Sequence, residues 1–164
     1  MTEPLQNWRL ERDAGGIAWL CLDKAGSSAN VLSRDVMSEL GQLLDELERD
    51  PPSGVVLFSG KDKGFVAGAD INEFPDMGDE ERAYKLTVNG LELFRRLETL
   101  PCSSVAVIKG FALGGGLELA LACSWRIALA GHRKIIGLPE VNLGLHPGLG
   151  GTVRLVRLIG VREA

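Results

Sequence analysis

The chain is poor in several residues that would point to particular chemistries. It has two histidines, His132 and His146, without clustered acidic or thiol partners, so no metal site is expected and both read as loop or surface residues. Its three cysteines, Cys21, Cys102 and Cys123, are odd in number and widely spaced. They exclude a disulfide framework and read as buried free thiols of a reducing compartment. No run reaches the roughly 18 uninterrupted apolar residues of a membrane span. The opening "MTEPLQNWRLERDAGG" is polar and acidic and lacks the charged-then-apolar order of a secretory signal. Acidic residues outnumber basic ones 22 to 18, for a formal charge of -4, which excludes an overall electrostatic footprint for nucleic acid or anionic lipid. A cytoplasmic location is expected.

What the chain does have is glycine. Its 21 glycines in 164 residues exceed the average usage of about 7% and gather in short apolar-flanked groups, the mark of tight backbone turns. With 45% hydrophobic residues, the chain suits one globular domain over 1–164. "IAWLCLD" (17–23), "GVVLFSG" (54–60) and "SSVAVIKG" (103–110) read as strands. Between the first two, Val36, Met37, Leu40, Leu43, Leu44 and Leu47 form one helical stripe, with Ser33 as N-cap and Pro51 as the stop. "DEERAYKLTVNGLELFRRLETL" is a second long helix and "GGLELALACSW" a short one. "RIALAG" and "KIIG" read as extended, and "GGTVRLVRLIG" restarts a helix. The alternation argues for an α/β class. The terminal "RLIGVREA" reads as an unfinished helix, so a truncated domain is expected, one that associates through exposed core surface.

The glycines do not match the common phosphate cradles. "GGGLELA" has Leu119 where a dinucleotide fingerprint needs its third glycine, and no glycine run leads into the Lys-Ser/Thr of a P-loop. What remains is strand, triple glycine and helix. That order leaves N–H groups unpaired at a helix start, where the macrodipole also favours negative charge. Glu118, in the first turn, either complements that dipole or stands beside a reacting carbonyl. "GFVAGADINEF" (64–74) is a second strand-to-helix passage able to supply another N–H, and two donors on one oxygen make an oxyanion hole. "GLPEVNLGLHPGLGGTVRL" adds Glu140 in apolar surroundings, and two such carboxylates suit proton transfer beside a polarised carbonyl.

These three motifs, in this order, resemble the enoyl-CoA hydratase/isomerase (crotonase) family, and "GGGLELALAC" with "LPEVNLGLHPG" is most similar to its multifunctional fatty-acid oxidation α-subunits. The resemblance implies a spiral of repeated ββα units, with C-terminal helices that this chain lacks. It makes Glu118 and Glu140 the catalytic pair and the backbone N–H groups of Ala69 and Gly115 the oxyanion hole. Ser28, Ala29, Ala67, Gly68, Ile71 and Gly114 would border the substrate and its CoA moiety, although "DKAGSSAN" departs from the commoner RPxxxN form of that loop. The implied reaction is hydration of a trans-2-enoyl-CoA to a 3-hydroxyacyl-CoA in fatty acid β-oxidation, with 3-enoyl to 2-enoyl isomerisation beside it. No cofactor is implied, because the CoA thioester is the substrate. The implied partners are further copies of the chain or a thiolase-type β-subunit.

A non-catalytic CoA-ester binding or oligomerisation fragment is the competing expectation. A cysteine or serine nucleophile is a poorer one, since no histidine stands near either in sequence. Asp70 reads as a cap of the turn after "GAD". Arg154 and Arg157 read as solvated or subunit-contact charges.

Overall fold

The computed structural model describes residues 4–130 and 135–164; His132 therefore lies outside the described residues. Two sheets organise the chain. The larger has the order β1-β2-β3-β5-β7, formed by Trp8–Arg12, Ile17–Leu22, Gly54–Ser59, Ser103–Ile108 and Trp125–Ala128. Only β1 and β2 pair antiparallel; the other pairings are parallel. The smaller sheet is parallel in the order β4-β6-β8, formed by Gly64–Val66, Phe111–Leu113 and Ile135–Gly137.

The chain visits the sheets alternately. β3 leads to β4, β5 to β6 and β7 to β8; helix follows each short strand, and after β4 and β6 the larger sheet resumes. The helices are α1 (Arg34–Arg49), α2 (Glu80–Glu98), α3 (Gly115–Ala122) and α4 (Gly151–Ile159), with 3-10 turns at Ile71–Met77 and Glu140–Leu143. The result is a spiral of ββα units. Parallel neighbours require such crossovers, because a tight hairpin joins only antiparallel strands.

The local signals act as their chemistry demands. Ser33 caps α1, its hydroxyl accepting from the Val36 N–H, and α1 buries Val36, Leu40, Leu43, Leu44 and Leu47. Glu39, also buried, accepts the N–H groups of Gln6, Asn7 and Trp8 and so ties the start of β1 to α1. All of α3 is buried, and Glu118 is its one charged residue in an otherwise apolar or glycine sequence. Burial pushes the Cys123 thiol at its end up to about 12, so this cysteine does not supply a thiolate nucleophile. Among the described residues no helix is long and apolar enough to cross a membrane.

One element escaped the sequence reading and one expectation needs correction. The polar opening holds a strand, β1, whose only neighbour is β2 and whose side chains are largely exposed. The terminal segment is not an unfinished helix: α4 ends at Ile159, and Gly160, at φ 86°, returns its N–H to the Val156 carbonyl. A positive φ of that size suits glycine and closes a helix.

Candidate active site

The ends of β4 and β6 meet the starts of the helical segments at one cavity of about 820 Å³. Its wall includes Ala67, Gly68, Ala69, Ile71, Gly114, Gly115, Glu118 and Glu140. Eight of the ten residues singled out from the sequence thus come together. Ser28 and Ala29 do not line it. They belong to a loop outside the wall, tied to it where the Ala67 N–H donates to the Asn30 carbonyl at 2.9 Å.

Each glycine of the triplet has its own steric reason. Gly114 sits at φ 52° and ψ -129°, a conformation closed to side-chain-bearing residues, and a Cβ there would lie 2.7 Å from Glu140 Oε1. A Cβ on Gly115 would point into the cavity, 3.0 Å from Leu32 Cδ1 and 3.8 Å from the Ala69 nitrogen. A Cβ on Gly116 would collide with the Val66 carbonyl, so its absence lets α3 lie against β4.

The backbone leaves donors open at this point. Ala67, Asp70 and Gly114 all donate within the fold, to the carbonyls of Asn30, Leu32 and Gly137. Among the described residues, the N–H groups of Ala69 and Gly115 have no acceptor. Gly115 opens α3, so its N–H is one of the orphan donors of a helix start. Asp70 is the expected cap, accepting from the Asn72 N–H at 3.2 Å and opening the 3-10 turn.

Glu118 is 1% exposed. Its Oε1 accepts the N–H groups of Leu149 and Gly151, both at 2.8 Å, and its Oε2 accepts none among the described residues. Burial pushes its carboxyl above the ordinary range. The Gly151 and Leu149 N–H groups oppose that, the charge of Glu140 reinforces it, and Arg154 pulls it back. Glu140 opens its 3-10 turn behind Pro139, and its Oε2 is buried without a hydrogen-bond partner. An acceptor left so costs about 1–3 kcal/mol, which a donor on water or substrate recovers.

Several participants escaped the sequence reading. Leu149 and Gly151 hold Glu118 through backbone alone; the "GLGG" glycines were the only visible sign. His146, read as a loop residue, lies on the cavity wall. The apolar part of the wall comes from Met37, Phe74, Leu86, Leu93 and Leu143. Arg157 is exposed as expected, but Arg154 is not a solvated charge: it binds Glu98 and the Leu149 carbonyl, with 11% of its side chain exposed. Among the described residues no group of three or more His, Cys, Asp or Glu side chains could hold a metal ion.

Residues 13–164 match the family described as Enoyl-CoA hydratase/isomerase. The fatty acid oxidation complex subunit alpha of Aliivibrio fischeri is 45% identical over 152 residues, 92% of this chain and 22% of that protein. Its counterpart from Shewanella loihica is 44% identical over 160 residues, 97% of this chain and 23% of that protein. Among solved structures, Pseudomonas aeruginosa DspI superposes with a TM-score of 0.88 at 36% identity, over 99% of this chain and 60% of that one. An enoyl-CoA hydratase from Bacillus anthracis gives 0.87 at 36% identity, over 96% and 60%. The chain thus spans under a quarter of the length of these curated relatives and about three fifths of these solved ones.

Proposed function

The chain belongs to the enoyl-CoA hydratase/isomerase family, with its crotonase fold, and from that premise we propose that its cavity hydrates trans-2-enoyl-CoA thioesters to 3-hydroxyacyl-CoA in fatty acid oxidation. The observation that carries the reading is the meeting of two unpaired N–H groups, Ala69 and Gly115, with two carboxyls, Glu118 and Glu140, in one cavity.

The thioester oxygen accepts both N–H groups. Electron density leaves the C2=C3 bond, C3 becomes electrophilic, and the enolate charge that develops on oxygen meets donors already in place. Water between the carboxyls adds its oxygen to C3. One carboxyl takes the proton released and the other delivers a proton to C2, so the elements of one water are added. Glu118, anchored through Oε1, offers Oε2 to the water; Glu140 serves C2. Burial holds the Glu118 carboxyl above the ordinary range, which suits a group that exchanges a proton with water near neutral pH. Isomerisation of 3-enoyl thioesters uses the same hole and needs only proton transfer between C2 and C4. The CoA thioester is substrate, and no cofactor enters.

The relatives named as complex subunits support membership of a fatty acid oxidation complex, with further copies or a thiolase-type β-subunit as partners in the cytoplasm. A hydration assay following loss of the conjugated enoyl absorbance, run beside gel filtration, tests the reading. Turnover abolished by Glu118→Gln and Glu140→Gln supports it. Thioester binding without turnover would instead favour the non-catalytic module.

A further inference from the structure

Glu118 is held by the backbone of a residue that is itself held. The Leu149 N–H donates to Glu118 Oε1 at 2.8 Å, and the Leu149 carbonyl accepts from Arg154 Nη1, also at 2.8 Å. The rest of that guanidinium binds Glu98 Oε2, from Nε at 3.0 Å and from Nη2 at 2.8 Å. Glu98 is the last residue of α2, and Arg154 lies in the first turn of α4. One side chain therefore joins two helix ends to the backbone of the residue that holds Glu118. The Leu149 side chain is confined as well: a Cβ on Gly90 of α2 would lie 2.6 Å from Leu149 Cδ2. Glycine in a helix interior costs about 0.5–1 kcal/mol relative to alanine, and here its absent side chain gives Leu149 its place.

We propose that Arg154, anchored by Glu98, is a positioning residue that fixes the Leu149 backbone so that Glu118 keeps Oε1 bound and turns Oε2 to the reacting water. This rests on the reading of Glu118 as a hydration carboxylate. An arginine suits the task because its planar fork serves a carboxylate and a carbonyl at once, which a lysine ammonium cannot do in the same geometry. The charged groups around Glu118 are few. α4 brings Arg154 and α2 brings its partner Glu98. The 3-10 turn brings Glu140, β4 and β6 bring none, and Arg126 of β7 binds carbonyls at the far end of α3. Arg154 opposes burial and Glu140 in setting Glu118, so its removal should raise the carboxyl further.

The test compares the wild type with Arg154→Gln, Arg154→Lys and Glu98→Gln in two readouts. These are hydration kinetics across pH and carbon-13 NMR titration of labelled glutamate carboxyls, with Glu118 assigned through Glu118→Gln. Arg154→Gln should lower kcat by about 10–10²-fold with KM little changed, as a displaced reacting group does. The acid limb of its kcat profile and the Glu118 titration should both move to higher pH. Arg154→Lys should restore the titration and only part of kcat. Glu98→Gln, which keeps the cation, should lower kcat less and leave the titration near that of the wild type. Wild-type kcat in Arg154→Gln, or an unmoved Glu118 titration there, would overturn the proposal. If Arg154→Gln does not fold, wild-type kcat in Glu98→Gln overturns it. A wild type that hydrates nothing would remove the functional reading, while the titration would still decide whether Arg154 acts on Glu118.

Discussion

Glu118 and Glu140 face one cavity from opposite kinds of structure. Glu118 stands in the first turn of a helix buried along its whole length, with one oxygen fixed by two backbone N–H groups. Glu140 opens a short 3-10 turn with no fully buried residue, and its Oε2 is buried without a partner. The backbone sets the first carboxyl, and packing against glycine sets the second, since Glu140 Oε1 occupies the space that a Gly114 side chain would need. The contrast explains how two identical side chains would take different roles in the proposed hydration: one is anchored and displaced upward in pKa by burial, the other keeps an open acceptor.

The largest effect should come from removing both. Glu118→Gln and Glu140→Gln should each lower hydration by about 10²–10⁴-fold. The double variant should fall little below the worse single one, because both act on one water. Multiplying losses in a double-mutant cycle would break the pairing. Gly115→Val comes next. Its side chain would enter beside Leu32 and the Ala69 nitrogen, displacing the shared oxyanion hole and lowering hydration and isomerisation together by about 10²–10³-fold. Loss of one activity alone would show that the two reactions do not share the hole.

Asn30→Ala tests the buried loop behind the wall, away from both carboxyls. Asn30 is fully buried; its amide donates to the Leu22 carbonyl at 2.8 Å and Ser59 Oγ at 2.9 Å, and its Oδ1 accepts the Lys24 N–H at 2.9 Å. Leaving such groups unpaired should cost about 1–3 kcal/mol in denaturant unfolding.

The smallest effect sharpens the comparison by its sign. The folded-state pKa of Glu118 lies above its unfolded value, so its contribution to stability is present below the unfolded carboxyl range, about pH 4, and is lost as pH rises through the raised value. Glu118→Gln, neutral throughout, should melt higher than the wild type at neutral pH and lose that advantage in acid. If Glu118 only complemented the helix start, the substitution would instead lose about 0.3–1 kcal/mol.

The site was legible in the sequence where backbone geometry demands a particular residue. The triple glycine, the "GAD" turn and the Pro139-Glu140 step each advertise a constraint and led to Glu118 and Glu140, whereas Ala67, Gly68, Ala69, Ile71, Gly114 and Gly115 of the cavity wall came from the family resemblance those motifs carry. The α1 stripe was legible for the same reason, its period and its Ser33 cap agreeing. β1 was not, because a polar edge strand carries little apolar alternation. Nor was the role of Arg154: helical spacing assigned it a face, whereas its function comes from Glu98, which lies 56 residues away in sequence. The close of α4 was missed because Gly160 interrupts the apolar period without ending it in composition, and only its φ reveals the cap.

The most direct test of the account is the ratio of isomerisation to hydration in Glu118→Gln and Glu140→Gln, each measured on 2-enoyl and 3-enoyl thioesters. The account predicts that Glu118→Gln loses hydration far more than isomerisation, so its ratio rises, while Glu140→Gln loses both. A Glu118→Gln protein that hydrates at the wild-type rate would contradict it.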